Sequence, residues 1–517
     1  MNAFLQQHIQ SVIGMVSGWD RLRFHGTISS ICYATGLSRF LSCSGKMFKG
    51  FKEFALSSSE MLREAALRVA IEAGRPIHYL PNPHVSKEHV ARICAAEDGI
   101  KEGLICAIKA VEPCYSFVLR KDRSTGQIDF RRAMRQGMHV YHYYQHPIFG
   151  LMHVRLQTWL PFGQFICVNG REWLSRQLDA AKIGYLRKEN CFIHIDDIPA
   201  TQELLNQQVH FNWRPALDQL AHGIAPVIAQ VLAPYQISYY WTIQESEWAT
   251  DFMFNSQKEL SNLYPKLLHH GLQSFGSRDV MRFLGQKVPL QGNSFSVDRR
   301  QMVSDLKERP EGIRVKHRLG SNSVKMYNKQ GSVLRIETTL NNITELKAPR
   351  RHNGQVVWMK MRKSVADARQ RAQVSEAANQ RYVEAIASIE APETLQVLTE
   401  SLSQPVRWKK QRVRGLNLLG EEDSKLLQTV ARAEFLINGF RNRDLRVALF
   451  AAVTTDPVEK QRRCSQITRR LRMLRAHGLI QKMPHTHRYM VSDKGRRVIT
   501  ALIAARQSDV TKLSKAA

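Results

Sequence analysis

Hydrophobic and polar positions change their period several times along the chain, and each change marks an element. Between 60 and 110 apolar residues recur at helical spacing in EMLREAALRVAIEAG and SKEHVARICAAEDG, each stopped by a glycine. From 113 to 170 the period falls to two. CYSFVLRKDRSTGQIDFRRA predicts a hairpin turning at Ser-Thr-Gly, and MHVRLQTWLPFGQFICVNG predicts a second, broken at Pro161 and Gly163; together they predict one sheet. Residues 171–232 return to helical spacing around CFIHIDDI, a buried strand ending in Asp196 and Asp197. Tyr239, Trp241 and Ile243 alternate as a strand, 256–290 is helical, and 309–342 reads as three strands with a hairpin turn at Asn328–Ser332. VADARQRAQVSEAANQRYVEAIASI then predicts a long amphipathic helix.

The clearest pattern lies at 458–499. Ile467, Leu471 and Leu474 fall at i, i+4 and i+7 on one narrow face of a helix, with Ser465, Arg469 and Arg472 opposite. Residues 461–480 hold six arginines and no acid, and Gly478 stands where a C′ residue ends the helix. Leu479–Lys482 and Arg488–Val491 predict two short strands around a tip at Pro484–His487, and Asp493 caps a closing helix. Upstream, 422–437 and 442–450 supply two more helices, the second with Asn442 as N-cap. This order, over 421–506, resembles winged-helix DNA-binding domains, particularly the multiple-antibiotic-resistance-type regulators. The resemblance implies a third helix in the major groove and a wing on the backbone or minor groove. Arg463, Ser465, Arg469, Arg472, His487 and Arg488 are then the nucleic-acid contacts. The same topology also serves protein contacts, and a basic helix lies equally well on RNA.

Charge extends that expectation to the whole chain. Lysine and arginine number 75 against 45 acids, a net charge of +30 and a pI near 10.0, which calls for a polyanionic partner. No apolar run of 18 residues and no lipidation motif occurs, so membrane spanning or anchoring is not expected. Gln6, Gln7, His8 and Gln10 interrupt any signal-peptide core, and the eight cysteines show no CxxC pair. These features predict a cytoplasmic protein with reduced thiols and no structural zinc. Glycine-rich phosphate loops are absent, which argues against a nucleotide-driven motor. A further strip, Arg407, Trp408, Lys409, Lys410, Arg412 and Arg414, places five cations around one tryptophan with no acid to offset them. It binds phosphate and stacks a base, or it is a solvated linker.

Candidate chemistry rests on acids placed along strands. Asp20 stands beside Arg21 and Arg23 at the start of a strand-like run, as a first metal ligand or as a surface ion pair. Glu245, Glu247 and Asp251 follow the strand of Trp241, either to hold a divalent ion or to open a helix whose dipole they favour. The stretch HVYHYYQHPIFGLMH, with His139, His142, His146 and His153, reads as sheet surface and core before it reads as a metal site. In 309–342, alternation puts Lys325, Tyr327, Arg335 and Glu337 on one hairpin face. A tyrosine flanked by cations beside a carboxylate is a workable nicking site, and a plain hairpin with one wet face fits the pattern too. YNK, a short gap, then LRIE resembles the strand pair of rolling-circle replication initiators. That resemblance implies Tyr327 as nucleophile and Glu337 as ligand to Mg²⁺ or Mn²⁺. Across its length the chain is also similar to a set of bacterial proteins sharing EGLICAIKAVEPCYSF, RLQTWLPF, SEWATD, SRDVMRFLG and INGFRNRDL, a resemblance that carries no activity but fits a mobile element.

The expected architecture is α+β and multidomain, with central antiparallel-rich sheets, helices and a C-terminal winged helix-turn-helix. The length accommodates about three to four domains. They are an N-terminal α+β domain at 1–232, a catalytic sheet domain at 233–345, a helical and basic linker at 346–420 and the winged helix at 421–510. The expected function is DNA binding with nicking or transfer of a strand for a mobile genetic element, by an endonuclease or transposase-like enzyme. A non-enzymatic regulator and an RNA-binding or RNA-guided effector are the alternatives. Self-association as a homo-oligomer stays open.

Overall fold

A computed structural model describes residues 3–121, 123–124, 126–233, 235, 237–286, 302–387, 395–409, 411–418, 420–432, 435, 439–450, 454–483 and 486–507. The architecture is mixed, with a large sheet and helices, consistent with the α+β expectation. The principal strands are β1 (Val12–Ile28), β2 (Ile77–Tyr79), β3 (Gly103–Lys121), β4 (Ile128–His146), β5 (Gly150–Gln157), β6 (Gln164–Asn169), β7 (Tyr185–Lys188), β8 (Cys191–Ile195), β9 (Tyr239–Phe254), β10 (Met302–Arg309), β11 (Gly312–Leu319), β12 (Asn322–Lys329) and β13 (Val333–Leu340). The chain folds as two compact units, each built from separated segments. The first comprises Met15–Asp251 and Glu337–Glu376, and the second Met1–Gly14, Phe252–Ile336 and Ala377–Ala517.

In the first unit the strand order is β13, β9, β1, β6, β5, β4, β3, β2, where β13 contributes its C-terminal half. The two hairpins read from 113–170 do join one antiparallel sheet, β3 to β6. β3 begins at Gly103, earlier than the helical reading of 60–110 allowed, and β2 adds to it in parallel. Helices Phe51–Glu72 and Lys87–Glu97 form where the period predicted them. The histidine-rich stretch fills β4, its turn and β5, with His139 and His142 buried. Tyr141 and Tyr143 share their strand face with His139, opposite His142, and pack with Ala91 and Cys94 of helix Lys87–Glu97. Acids 245–251 lie inside β9 and open no helix, because the aromatic and β-branched alternation continues through Trp248 to Phe254. Asp197 instead caps helix Ile198–Val209, its Oδ1 accepting from Ala200 N at 2.9 Å.

In the second unit β10, β11 and β12 are consecutive in the sheet, followed by the N-terminal half of β13. β10, unforeseen in the sequence, pairs with β11 from Met302↔Leu319 to Arg309↔Gly312. Helices Gln257–Ser274 and Ser277–Phe283 lie against β11, and the Tyr264 hydroxyl reaches Ile313 O at 2.8 Å. Toward the C-terminus come helices Glu421–Val430, Asn442–Leu449 and Pro457–Ala476, strands Ile480–Lys482 and Tyr489–Val491, and helix Asp493–Gln507. Ile467, Leu471 and Leu474 are buried in one cluster with Leu426, Leu445 and Val491. Gly478, at φ +72°, closes the long helix as expected.

Three local readings need correction. Asn442 is the first helical residue and Arg441 the cap, because Asp444 accepts from Arg441 N at 2.8 Å while Asn442 Nδ2 donates to Cys464 O and Thr468 Oγ1 at 3.0 Å. Asp493 lies inside its helix, and Ser492 Oγ accepts from Gly495 N at 3.0 Å as a cap does. The basic strip is a hairpin, Val406–Trp408 with Gln411–Val413, anchored in the same C-terminal cluster through Val413 and Trp408 rather than a solvated linker.

Candidate metal centre and basic surfaces

Asp20 on β1, Glu247 on β9 and Glu337 on β13 belong to three successive strands of the first unit's sheet. Neighbouring strands run about 4.8 Å apart, so side chains from three of them meet over the middle one. Oxygens of the three carboxylates all lie within 4.8 Å of one another, and among the described residues this is the one group of three or more acids, histidines or cysteines so placed. All three are buried, with 6%, 4% and 4% of their surface exposed. Three ionised carboxylates in one buried site repel each other strongly unless cations or hydrogen-bond donors stand close.

Donors do stand close. Arg21 places Nη2 at 2.5 Å and Nε at 3.0 Å from Glu247 Oε2, and Thr339 Oγ1 donates to Glu247 Oε1 at 3.3 Å. Burial pulls the Arg21 pKa down, but Glu247 outweighs it and the net displacement is upward, so the guanidinium stays charged. Arg171, fully buried, sets Nε at 3.4 Å from Asp20 Oδ1 and Nη2 at 3.0 Å from Asp251 Oδ2. Its place follows from the end of β6. Asn169 pairs with Arg21 in the β1–β6 register and caps helix Gly170–Ala181 by accepting from Arg171 N at 2.8 Å, so the first helical side chain arrives beside Asp20. Arg371 fixes the backbone behind the acids, donating to Ile243 O at 2.6 Å and Leu340 O at 2.5 Å; burial lowers its pKa to about 10, with Glu245 opposing.

Of the acids read from the sequence, Asp20, Glu247 and Glu337 therefore converge, and Asp251 is taken up by Arg171. Arg171 and Thr339 were missed. The phrase VNGREW held the signal for Arg171, a strand ending in an Asn-Gly cap, but nothing in it named the distant acid it meets. Tyr327 and Lys325 lie in the second unit on β12, opposite Arg314 and Lys316 of β11, so these four share a face. Tyr327 is 9% exposed, and Lys329 Nζ lies 5.3 Å from its ring centroid. Burial, then the charges of Lys325 and Arg314, lower the Lys316 pKa. Arg335 is fully buried on β13.

On helix Pro457–Ala476, Arg469 and Arg472 are exposed and Ser465 half-buried, opposite the packed face. Arg463 pairs with Glu459 at 2.8 Å and lies over Phe450. His487 is exposed and Arg488 half-buried before strand Tyr489–Val491. In the basic hairpin Arg407, Lys409 and Arg412 are exposed, and Trp408 has Lys409 and Arg475 over its ring at 5.2 and 5.0 Å. Lys410 lies outside the described residues. Arg414 is not unopposed as its sequence context indicated. It forks onto Asp423 at 2.7 and 2.8 Å, so the strip has one acid in close contact.

Compared with protein-family models, with curated proteins and with solved structures, the chain matches none. None of the eight cysteines is in a disulfide, and among the described residues no helix is long and apolar enough to cross a membrane.

Proposed function

We propose that the protein is a divalent-metal-dependent enzyme that nicks or transfers a DNA strand, in the setting of a mobile genetic element. The observation that carries this reading is the convergence of Asp20, Glu247 and Glu337, buried and within 4.8 Å, in a chain of net charge +30. Mg²⁺ and Mn²⁺ favour carboxylate oxygens, and Asp20, Glu247 and Glu337 are the residues that would hold such an ion. An ion held by the three acids would supply the Lewis acidity that lowers the pKa of a bound water and offsets charge on a phosphate oxygen. Arg21 and Arg171 hold the acids in place. The C-terminal elements, read as a winged helix, would bring duplex DNA onto Arg469 and Arg472.

The test combines metal binding with strand cleavage. Mn²⁺ paramagnetic resonance should show a bound ion in the wild type, and supercoiled DNA should be nicked with Mg²⁺ or Mn²⁺ but not in EDTA. Glu337→Gln should weaken both about 10–100-fold. Tyr327→Phe should leave nicking intact; loss of nicking together with a covalent protein–DNA adduct in the wild type would move the attack to the tyrosine. Tight DNA binding with neither bound Mn²⁺ nor cleavage would favour a non-enzymatic regulator.

A further inference from the structure

A cavity of about 360 Å³ in the first unit lies between β1, the β3–β4 arm and β5–β6, lined by side chains that the metal reading does not use. Its lining mixes planar rings, cations and hydrogen-bonding groups. Phe165 stacks on His25 with centroids 4.2 Å apart and carries the Arg155 guanidinium at 3.8 Å. Tyr115, 54% exposed, has Arg132 at 4.1 Å from its ring centroid. Ser116 is 1% exposed, and its hydroxyl has no hydrogen-bond partner among the described residues, which is unusual because a buried polar group left unsatisfied is destabilising. His139, also 1% exposed, has Nδ1 3.1 Å from Gly137 O, so Nδ1 carries the proton and Nε2 is the acceptor of a neutral ring. Hydroxyl and ring nitrogen together answer the donors and acceptors on the edge of a heterocycle.

The cavity lies on the side of β1 from which Arg21 reaches Glu247, while Asp20, one residue earlier, projects from the other side. Arg21, Arg23 and His25 project from one side of β1, opposite Asn169, Cys167 and Phe165. Arg21 holds Glu247 and Arg23 Nε lies 3.5 Å from Glu245, so a line of cations leads from His25 toward the metal-binding acids, about 13 Å along the strand. A small-molecule pocket has no need of that line; a nucleic-acid backbone has.

We propose that this cavity takes one unstacked nucleobase of a DNA single strand whose phosphates pass Arg23 and Arg21 on the way to the acids, an inference that rests on the strand-cleavage reading above. Base–aromatic stacking supplies affinity with little sequence preference, while Ser116 and His139 supply the polar edge contacts.

The experiment uses the full chain in EDTA and a short fluorescein-labelled DNA single strand, together with copies carrying one abasic site at each position in turn. Anisotropy should show that one abasic position weakens wild-type binding about tenfold. Tyr115→Ala, a change at an exposed side chain, should bring the intact strand down to the level of that abasic strand, with duplex binding unchanged. Ser116→Val should do the same by removing the hydroxyl without enlarging the cavity. Equal affinity for intact and abasic strands in the wild type, no single-strand binding at all, or full discrimination retained in Tyr115→Ala would each overturn the proposal. Because no metal is present, failure of cleavage leaves this result standing, and failure here leaves the metal centre to its own test.

Discussion

A methyl group on Gly170 would lie 1.8 Å from the carbonyl oxygen of Trp19, so alanine there must push the start of helix Gly170–Ala181 away from β1. Backbone cannot yield as a side-chain tip can. Gly170→Ala should cost about 1–3 kcal/mol in urea unfolding and weaken Mn²⁺ binding, since Arg171 leaves Asp20 when the helix moves. Gly223 supplies the control, because a Cβ there meets nothing within 4 Å and alanine in a helix is favoured over glycine by about 1 kcal/mol. Equal losses from the two substitutions would remove the close-approach argument. The acids themselves could be singled out because each stood in or beside a strand-like run, but nothing local showed that Asp20, Glu247 and Glu337 converge. Arg171 could not be singled out, since its role comes from the meeting of β6 and β1, segments far apart in sequence.

Helix Pro457–Ala476 shows how far period alone reaches. Ile467, Leu471 and Leu474 are buried and Arg469 and Arg472 exposed, as one amphipathic stripe requires. Replacing both arginines by alanine should therefore leave folding unchanged and weaken duplex binding, with sequence preference relaxed, by about 1–3 kcal/mol for each base that the helix no longer reads. Unchanged affinity and preference in a gel-shift titration, with the helix intact by circular dichroism, would take this helix out of DNA reading. Short or charged elements were less legible. The hairpin Val406–Trp408 and Gln411–Val413 contains too few residues for a period, and its stability comes from Val413 and Trp408 packing into the C-terminal cluster. β9 kept its strand character through Glu245, Glu247 and Asp251 because neighbouring strands and buried cations accommodate acids that an isolated strand would not.

The molecule as a whole should be acid-sensitive from its buried histidines as well as its net charge. Burial, with the nearby Arg155 charge for His139, lowers the ring pKa of His139 and His142 to about 4. In the unfolded chain each takes up a proton near the ordinary pH 6.5, whereas the folded protein resists until about 4. The unfolded state thus binds more protons between these values, and stability present at neutral pH drains as pH falls from 6.5 toward 4, by up to about 3 kcal/mol per ring. The urea midpoint should fall across that window, and His142→Gln should flatten part of the fall; a midpoint independent of pH there would contradict the burial of these rings. Local sequence was enough for the helices and strands with long periods, the packed face of helix Pro457–Ala476 and the strand setting of Glu337, because each depends on spacing within one segment. The meeting of Asp20, Glu247 and Glu337, the arginines that hold them and the interleaving of distant segments into two units depend on which strands become neighbours. That choice is made by burial summed over the whole chain, and no single stretch contains it.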